Sequence, residues 1–177
     1  PDDKRVVVDL YDDQTGGQDL WLFDVDGGSS QFTFHPARDS NPVWSLDGRH
    51  IIWRSNREGH DNFYLRTASG AGQDELLLGS SNSNPRIPTS WSSDGRFLIY
   101  YEIDPKTKRD IWVLPLTGDR KPFKFLQTES SEATGQLSPD GRWMAYTSDE
   151  SSTLEIYVRS FPSGGGQKLV STNGGIG

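Results

Sequence analysis

The stretch Trp44-Ser45-Leu46-Asp47-Gly48-Arg49, running directly into the apolar Ile51-Ile52-Trp53, is the first full statement of a pattern this chain makes three times. It returns as Trp91-Ser92-Ser93-Asp94-Gly95-Arg96 before Leu98-Ile99-Tyr100. The third copy is Leu137-Ser138-Pro139-Asp140-Gly141-Arg142 before Met144-Ala145-Tyr146. Asp94 follows Asp47 by 47 residues, and Asp140 follows Asp94 by 46. A period in the forties built from short strands marks propeller blades.

Four strands can be read in each repeat. The first precedes Asp-Gly, as in Asn41 to Ser45. Asp-Gly itself predicts a tight hairpin, because Gly accepts positive φ without steric cost. The second strand is the apolar run, and its aromatics Trp53, Tyr100 and Tyr146 are expected on one common face. A polar loop follows, over Ser55 to Asp61, Glu102 to Asp110 and Ser148 to Glu155. The third strand then opens on an acid or near neighbour and an aromatic: Asp19-Leu20-Trp21, Asp61-Asn62-Phe63-Tyr64, Asp110-Ile111-Trp112 and Glu155-Ile156-Tyr157. A Gly-rich turn leads to a shorter, more polar outer strand, such as Glu75 to Leu78 or Phe123 to Leu126. Helical periodicity is absent; Asp74 to Leu78 is too short to form a helix alone.

The expected fold class is therefore all-β, a partial or open β-propeller of about four blades, each of four antiparallel strands. The whole chain, 1–177, reads as one propeller fragment. An incomplete blade without its first strand covers about 5–40, and blades follow over 41–86, 87–132 and 133–177. Closed propellers typically carry 4–8 blades. The chain supplies about 3.8 units at this period. The start at Pro1 and the tail Ser171-Thr172-Asn173-Gly174-Gly175 suggest a piece of a larger propeller of six or seven blades. An open array leaves sheet faces and edges uncovered, so self-association through the end blades is expected.

Composition narrows the partners. The 177 residues carry 25 Asp and Glu against 18 Lys and Arg, a net charge of −7. Such a surface repels phosphate backbones and anionic lipid, which argues against nucleic-acid binding and membrane docking. No apolar run is long enough for a transmembrane helix, so no direct membrane insertion is expected. The absence of cysteine removes disulfides, thiolate zinc sites and thiol catalysis. At 32% hydrophobic, the chain relies on aromatics, six Trp among them, for much of its burial.

The block Trp-Ser-x-Asp-Gly-Arg, the apolar-aromatic strand and the Asp/Glu-Ile-Tyr/Trp strand resemble the TolB-like class of WD-type propellers. They also resemble the propellers of prolyl-oligopeptidase-type peptidases. A narrower likeness rests on Phe97 to Glu102 with Asp110 to Leu116, and on Ser138 to Glu150 with Glu155 to Pro162. Those stretches look like the C-terminal propellers of bacterial membrane serine/threonine protein kinases. That resemblance implies a parent kinase, with this part a sensor that can lie outside the cytoplasm. The chain departs from the repeat where Leu46 and Ser93 stand for the usual Pro, kept only at Pro139, and where Leu137 stands for Trp.

Candidate chemistry is sparse. Kinase catalysis needs a Gly-rich phosphate loop, a strand Lys, H-R-D and D-F-G, and none is present. Ser69-Gly70 and Ser163-Gly164 do not make a nucleophile elbow, and both read as turns. Of His35, His50 and His60, only His60 has acidic neighbours, Glu58 and Asp61, on a loop that reads as a solvated tip. Asp24-Val25-Asp26-Gly27-Gly28 lacks the further ligands of a calcium loop and reads as a turn. The acid runs Asp12-Asp13 and Asp149-Glu150 read as solvated faces. Asp47, Asp94 and Asp140 read as turn formers, with Arg49, Arg96 and Arg142 as rim residues near acids. Trp44, Trp91, Trp53, Tyr100 and Tyr146 read as packing between blades. Neither catalytic residues nor a metal or other cofactor is assigned.

What remains is recognition: a non-catalytic module that binds a protein, peptide or small molecule through rim loops. The loops singled out are Asn56 to Asp61, with Arg57 and His60, and Asp104 to Arg109, with Lys106, Lys108 and Arg109. The latter is the densest basic cluster in an acidic chain. The alternative is an accessory propeller that gates a peptidase or lyase active site carried elsewhere.

Overall fold

The computed structural model describes residues 3–80 and 82–175, and among them every regular element is a strand. The chain divides into two compact units, 1–83 and 84–177. Unit 1 opens with a three-stranded sheet of β1 (Arg5–Tyr11), β2 (Gln18–Asp24) and β3 (Gly28–Gln31). Its second sheet has four strands: β4 (Asp39–Trp44), β5 (His50–Ser55), β6 (Asn62–Thr67) and β7 (Glu75–Leu78). Unit 2 holds β8 (Arg86–Trp91), β9 (Phe97–Asp104), β10 (Lys108–Pro115) and β11 (Phe123–Leu126) as its first sheet. Its second sheet is β12 (Glu132–Leu137), β13 (Trp143–Ser148), β14 (Glu155–Ser160) and β15 (Lys168–Leu169). In every sheet consecutive strands pair antiparallel, the meander of a propeller blade.

The register makes the repeat physical. Trp53 pairs with Tyr64, Tyr100 with Trp112 and Tyr146 with Tyr157. In each pair the rings stack, with centroids 6.1, 6.2 and 5.9 Å apart. Directly opposed residues of neighbouring strands share a face, so each sheet gains a cross-strand aromatic pair at one position. In the three-stranded sheet Val8 pairs with Trp21, so β1 occupies the second-strand place, and the described residues supply no first strand to this sheet.

Burial follows these pairs. In unit 1, Trp53, Tyr64 and Ile51 pack with Leu20, Leu22 and Phe32 of the neighbouring sheet, and Phe32 meets the Trp53 ring edge-on at 5.8 Å. In unit 2, Tyr146, Tyr157 and Met144 pack with Ile99, Ile111 and Val113. Each contact therefore seats an aromatic pair on an aliphatic face. Gly135 allows the close approach in unit 2, since a Cβ there would lie 2.9 Å from Ile99 Cγ2 and 3.3 Å from Met144 Sδ.

The Asp-Gly blocks fold as larger loops than a two-residue hairpin. Gly48 N–H donates to Ser45 O at 2.9 Å, closing a four-residue turn, and Gly48 sits at φ +68°. Ser45 Oγ donates to Asp47 Oδ1 at 2.6 Å and accepts from His50 N at 2.9 Å. Asp47 Oδ1 also accepts from Arg49 N at 3.0 Å. The same net joins Ser92 to Asp94 and Phe97, and Ser138 to Asp140 and Trp143. Serine thus explains itself in the motif: its hydroxyl ties both ends of the loop. These bonds hold the Asp47, Asp94 and Asp140 carboxyls below the usual range, Asp140 at about 2. Arg96 and Arg142 reach their turn acids at 2.6 and 2.7 Å, both exposed.

The expected loop from Glu102 to Asp110 is a correction. β9 runs on to Asp104 and β10 starts at Lys108, leaving only residues 105–107 as the turn.

Candidate functional site

The first strand of a sheet has a bulge at the same place in both units. In β4 the register shifts between Ser40 and Val43, and in β12 between Ala133 and Gln136. Asn41 and Thr134, inside those bulges, both adopt φ +53°. Asn tolerates that conformation; a β-branched Thr rarely does. Each bulge opens a groove toward the preceding sheet of its own unit.

The two grooves are made of equivalent positions, counted from the aromatic pairs. In unit 1 the preceding sheet supplies Asp9 and Gln18; in unit 2 the same places hold Tyr101 and Arg109. From the bulged sheet, unit 1 supplies Arg38, Ser40, Asn41, Arg54 and Asp61. Their counterparts in unit 2 are Ser131, Ala133, Thr134, Thr147 and Leu154. Asn56 completes the first groove. The cavities are similar in size, about 280 and 240 Å³. Their chemistry is not: the first carries four charged side chains, the second only Arg109.

Hydrogen bonds order the first groove. Asp9 Oδ2 accepts from Gln18 Nε2 at 2.5 Å, and its Oδ1 accepts from the Asn41 backbone N–H at 3.2 Å. Arg54 Nε meets Asp61 Oδ1 at 2.9 Å. Arg38 exchanges two bonds with Asn56: its N–H donates to Asn56 Oδ1 at 3.0 Å, and its carbonyl accepts from Asn56 N at 3.3 Å. The Arg38 guanidinium lies 6.0 Å from the Tyr11 ring and makes no ion pair among the described residues. The second groove closes on itself, with Thr134 and Thr147 hydroxyls 3.0 Å apart and Arg109 over the Tyr101 ring at 5.9 Å.

The residues singled out from sequence are spread out. Arg57 is a partly buried structural cation: its Nη1 lies 2.6 Å from Asp74, its Nη2 3.2 Å from Asp39, and its guanidinium 4.0 Å from the Tyr64 ring centroid. Burial raises the Asp39 carboxyl above its ordinary value despite hydrogen bonds from Ser55, the Arg57 charge and Thr33. Burial also disfavours the Arg57 charge, yet the two carboxylates outweigh it and hold the guanidinium pKa above its usual value. His60 is exposed on the loop before β6. Lys106 sits in the 105–107 turn, its N–H donating to Asp104 Oδ1 at 2.8 Å. Lys108 pairs with Asp149 at 3.3 Å, both exposed. Lys108 adopts φ +70°, and both it and Arg109 are exposed. Arg109 belongs to the second groove.

The reading of single loops missed Asp9, Gln18, Arg38, Asn41 and Arg54. A usable signal was present. Aligning the repeats on Trp53 and Tyr146 sets Arg54 against Thr147, Arg38 against Ser131 and Asp61 against Leu154. Among the described residues no three His, Asp or Glu side chains converge as a metal-binding set.

Solved structures share this arrangement of sheets. TolB from Acinetobacter baumannii superposes with a TM-score of 0.81 at 22% identity, over 97% of this chain and 42% of that one. An oligogalacturonate lyase in complex with manganese matches at 0.72 and 14% identity, over 97% of this chain and 50% of that one. A prolyl endopeptidase structure matches at 0.62 and 15% identity, over 89% of this chain and 26% of that one. The chain has the TolB-like β-propeller fold, and it spans half or less of the length of each of these three proteins. No family model and no curated protein matches the sequence.

Proposed function

We propose that this chain is a non-catalytic recognition module whose ligand site is the groove between the two sheets of unit 1. One observation carries the reading. The same groove is built twice, and at four positions where unit 2 has the neutral Tyr101, Ser131, Thr147 and Leu154, unit 1 places Asp9, Arg38, Arg54 and Asp61. Packing alone does not call for four charges at positions where Tyr, Ser, Thr and Leu suffice. Charged side chains on a rigid sheet edge, open to solvent, are suited to polar recognition.

The finer reading places this module in a larger bacterial serine/threonine protein kinase, as its sensor portion. The support is the likeness of Phe97 to Leu116 and Ser138 to Pro162 to such propellers. In the full-length protein, ligand at the groove would then change kinase autophosphorylation.

The test is an exchange of grooves. The variant Arg38→Ser, Arg54→Thr, Asp61→Leu gives unit 1 the residues of unit 2 at the three charged positions of its bulged sheet. A thermal-shift screen against small polar metabolites and short peptides is expected to find ligands for the native chain that the folded exchange variant no longer binds. Ligands that bind both equally, or that map by NMR to Lys106 and Lys108, would move the site elsewhere.

A further inference from the structure

The geometry points to a ligand class for this groove: a small carboxylate carrying a hydroxyl or ammonium donor beside it. The inference rests on the groove being the recognition site and goes on to say what it recognises. Its basis is which hydrogen-bonding capacity the protein leaves unspent.

Both acids in the groove are already engaged. Asp9 accepts from Gln18 and from the Asn41 backbone, and Asp61 is held by Arg54 Nε. The two arginines are not used up. Arg54 meets Asp61 through Nε, and its terminal nitrogens make no hydrogen bond among the described residues. Arg38 is exposed, with only the Tyr11 ring near its guanidinium. The backbone of Arg38 is nevertheless fixed through Asn56 on both sides, which anchors the fork at its base. The unpaired ionic group is thus a guanidinium. A planar fork of donors matches a carboxylate, which it can bind bidentately.

The acids then select what lies next to that carboxylate. Asp9 and Asp61 each keep lone pairs after their present bonds, because an ionised carboxylate accepts about four hydrogen bonds. A hydroxyl or ammonium beside the ligand carboxylate can donate there, whereas a second anion would be repelled. Two arginines likewise disfavour a bare cation. The cavity, at about 280 Å³, lies just below the range typical of drug-sized ligands, so the occupant is small. Hydroxy acids and amino acids share this chemistry. The twin groove has no acid and one fork, Arg109 at the place of Gln18, with Ser131 and Thr147 where Arg38 and Arg54 stand.

The experiment titrates the ¹⁵N-labelled chain with two matched pairs: gluconate against sorbitol, and alanine against alaninamide. The expected result is that at least one acid binds, moves the amide signals of Asp9, Asn41 and Asn56, and binds at least about tenfold more tightly than its counterpart lacking the carboxylate. Which pair responds separates hydroxy acids from amino acids. Arg38→Ser, at an exposed position that leaves the fold intact, is expected to weaken binding about 10- to 100-fold, while Lys106→Ser leaves it unchanged. Equal binding of acid and carboxylate-free partner, no loss in Arg38→Ser, or no binding of either acid at 10-fold above about 1 mM would overturn the ligand class. The groove-exchange screen with its wider library stays separate: ligands found there that are not carboxylates would leave the recognition reading standing and this one refuted.

Discussion

Replacing Arg57 by Met is the sharpest probe of unit 1. The substitution keeps an apolar stem against Trp53 and Tyr64 and removes the charge. The Arg57 side chain is 12% exposed, and its partner Asp39 is fully buried. Taking away one member of a buried pair leaves the other uncompensated, which costs about 3–5 kcal/mol. For a protein of this size that is a fall of roughly 6–20 °C in Tm. The pH dependence separates charge from packing. Burial already raises the Asp39 carboxyl, and the Arg57 charge works against that rise. Without Arg57 it rises further. A carboxyl with a raised folded pKa contributes stability that is present below its unfolded value and lost as pH rises through the folded one. The deficit of Arg57→Met should therefore be small near pH 4 and grow toward pH 7.5. Urea denaturation followed by Trp fluorescence at both pH values measures it, and Asp39→Asn in the same background should recover much of the loss. An equal deficit at both pH values, or a change below about 0.5 kcal/mol at neutral pH, would refute the buried-pair argument and return Arg57 to the candidates for ligand binding.

Other consequences can be checked independently. Gly135→Ala forces a methyl against Ile99 and Met144 and should cost about 1–3 kcal/mol by overpacking, measured by chemical denaturation. Burial raises the Glu132 carboxyl, with Asp110 and Asp149 adding to the rise, so Glu132→Gln should stabilise the chain at pH 7.5 and have no such effect near pH 4. The Asp140 carboxyl, held at about 2 first by Ser138, contributes stability present above its unfolded value and lost as pH falls toward 2. Asp140→Asn should remove that acid-side slope in a pH series of melts. The face of the first sheet bearing the Val8–Trp21 pair exposes Val6 (52%) and Phe23 (38%), and the last sheet exposes Trp143 (45%) beside Val158. Since each contact inside a unit seats an aromatic pair on an aliphatic face, we propose that a second copy covers these faces head-to-tail. Sedimentation velocity should show concentration-dependent association that Phe23→Lys weakens; a monomer at every concentration would refute it.

Strand content, repeat length and turn positions were determined by the sequence alone, because they depend on local chemistry. Apolar runs of three, Asp-Gly with its serine, and the recurring Asp/Glu-aromatic pair each act within a few residues. The aromatics Trp53, Tyr100 and Tyr146 could be placed on one face because side chains alternate along a strand. Only the tertiary structure decided where charges converge. Asp9 and Arg54 are 45 positions apart, and the bulge at Asn41 that opens their groove is a backbone event with no short motif. Likewise Arg57 looked like a loop cation in sequence, but residues 18 before and 17 after it, Asp39 and Asp74, enclose it. Lys106, Lys108 and Arg109 looked like one basic patch, yet Lys108 is paired with Asp149 and Arg109 lines the second groove. Contacts within a turn are encoded by neighbours; contacts across sheets depend on register, and register is set by the packed whole.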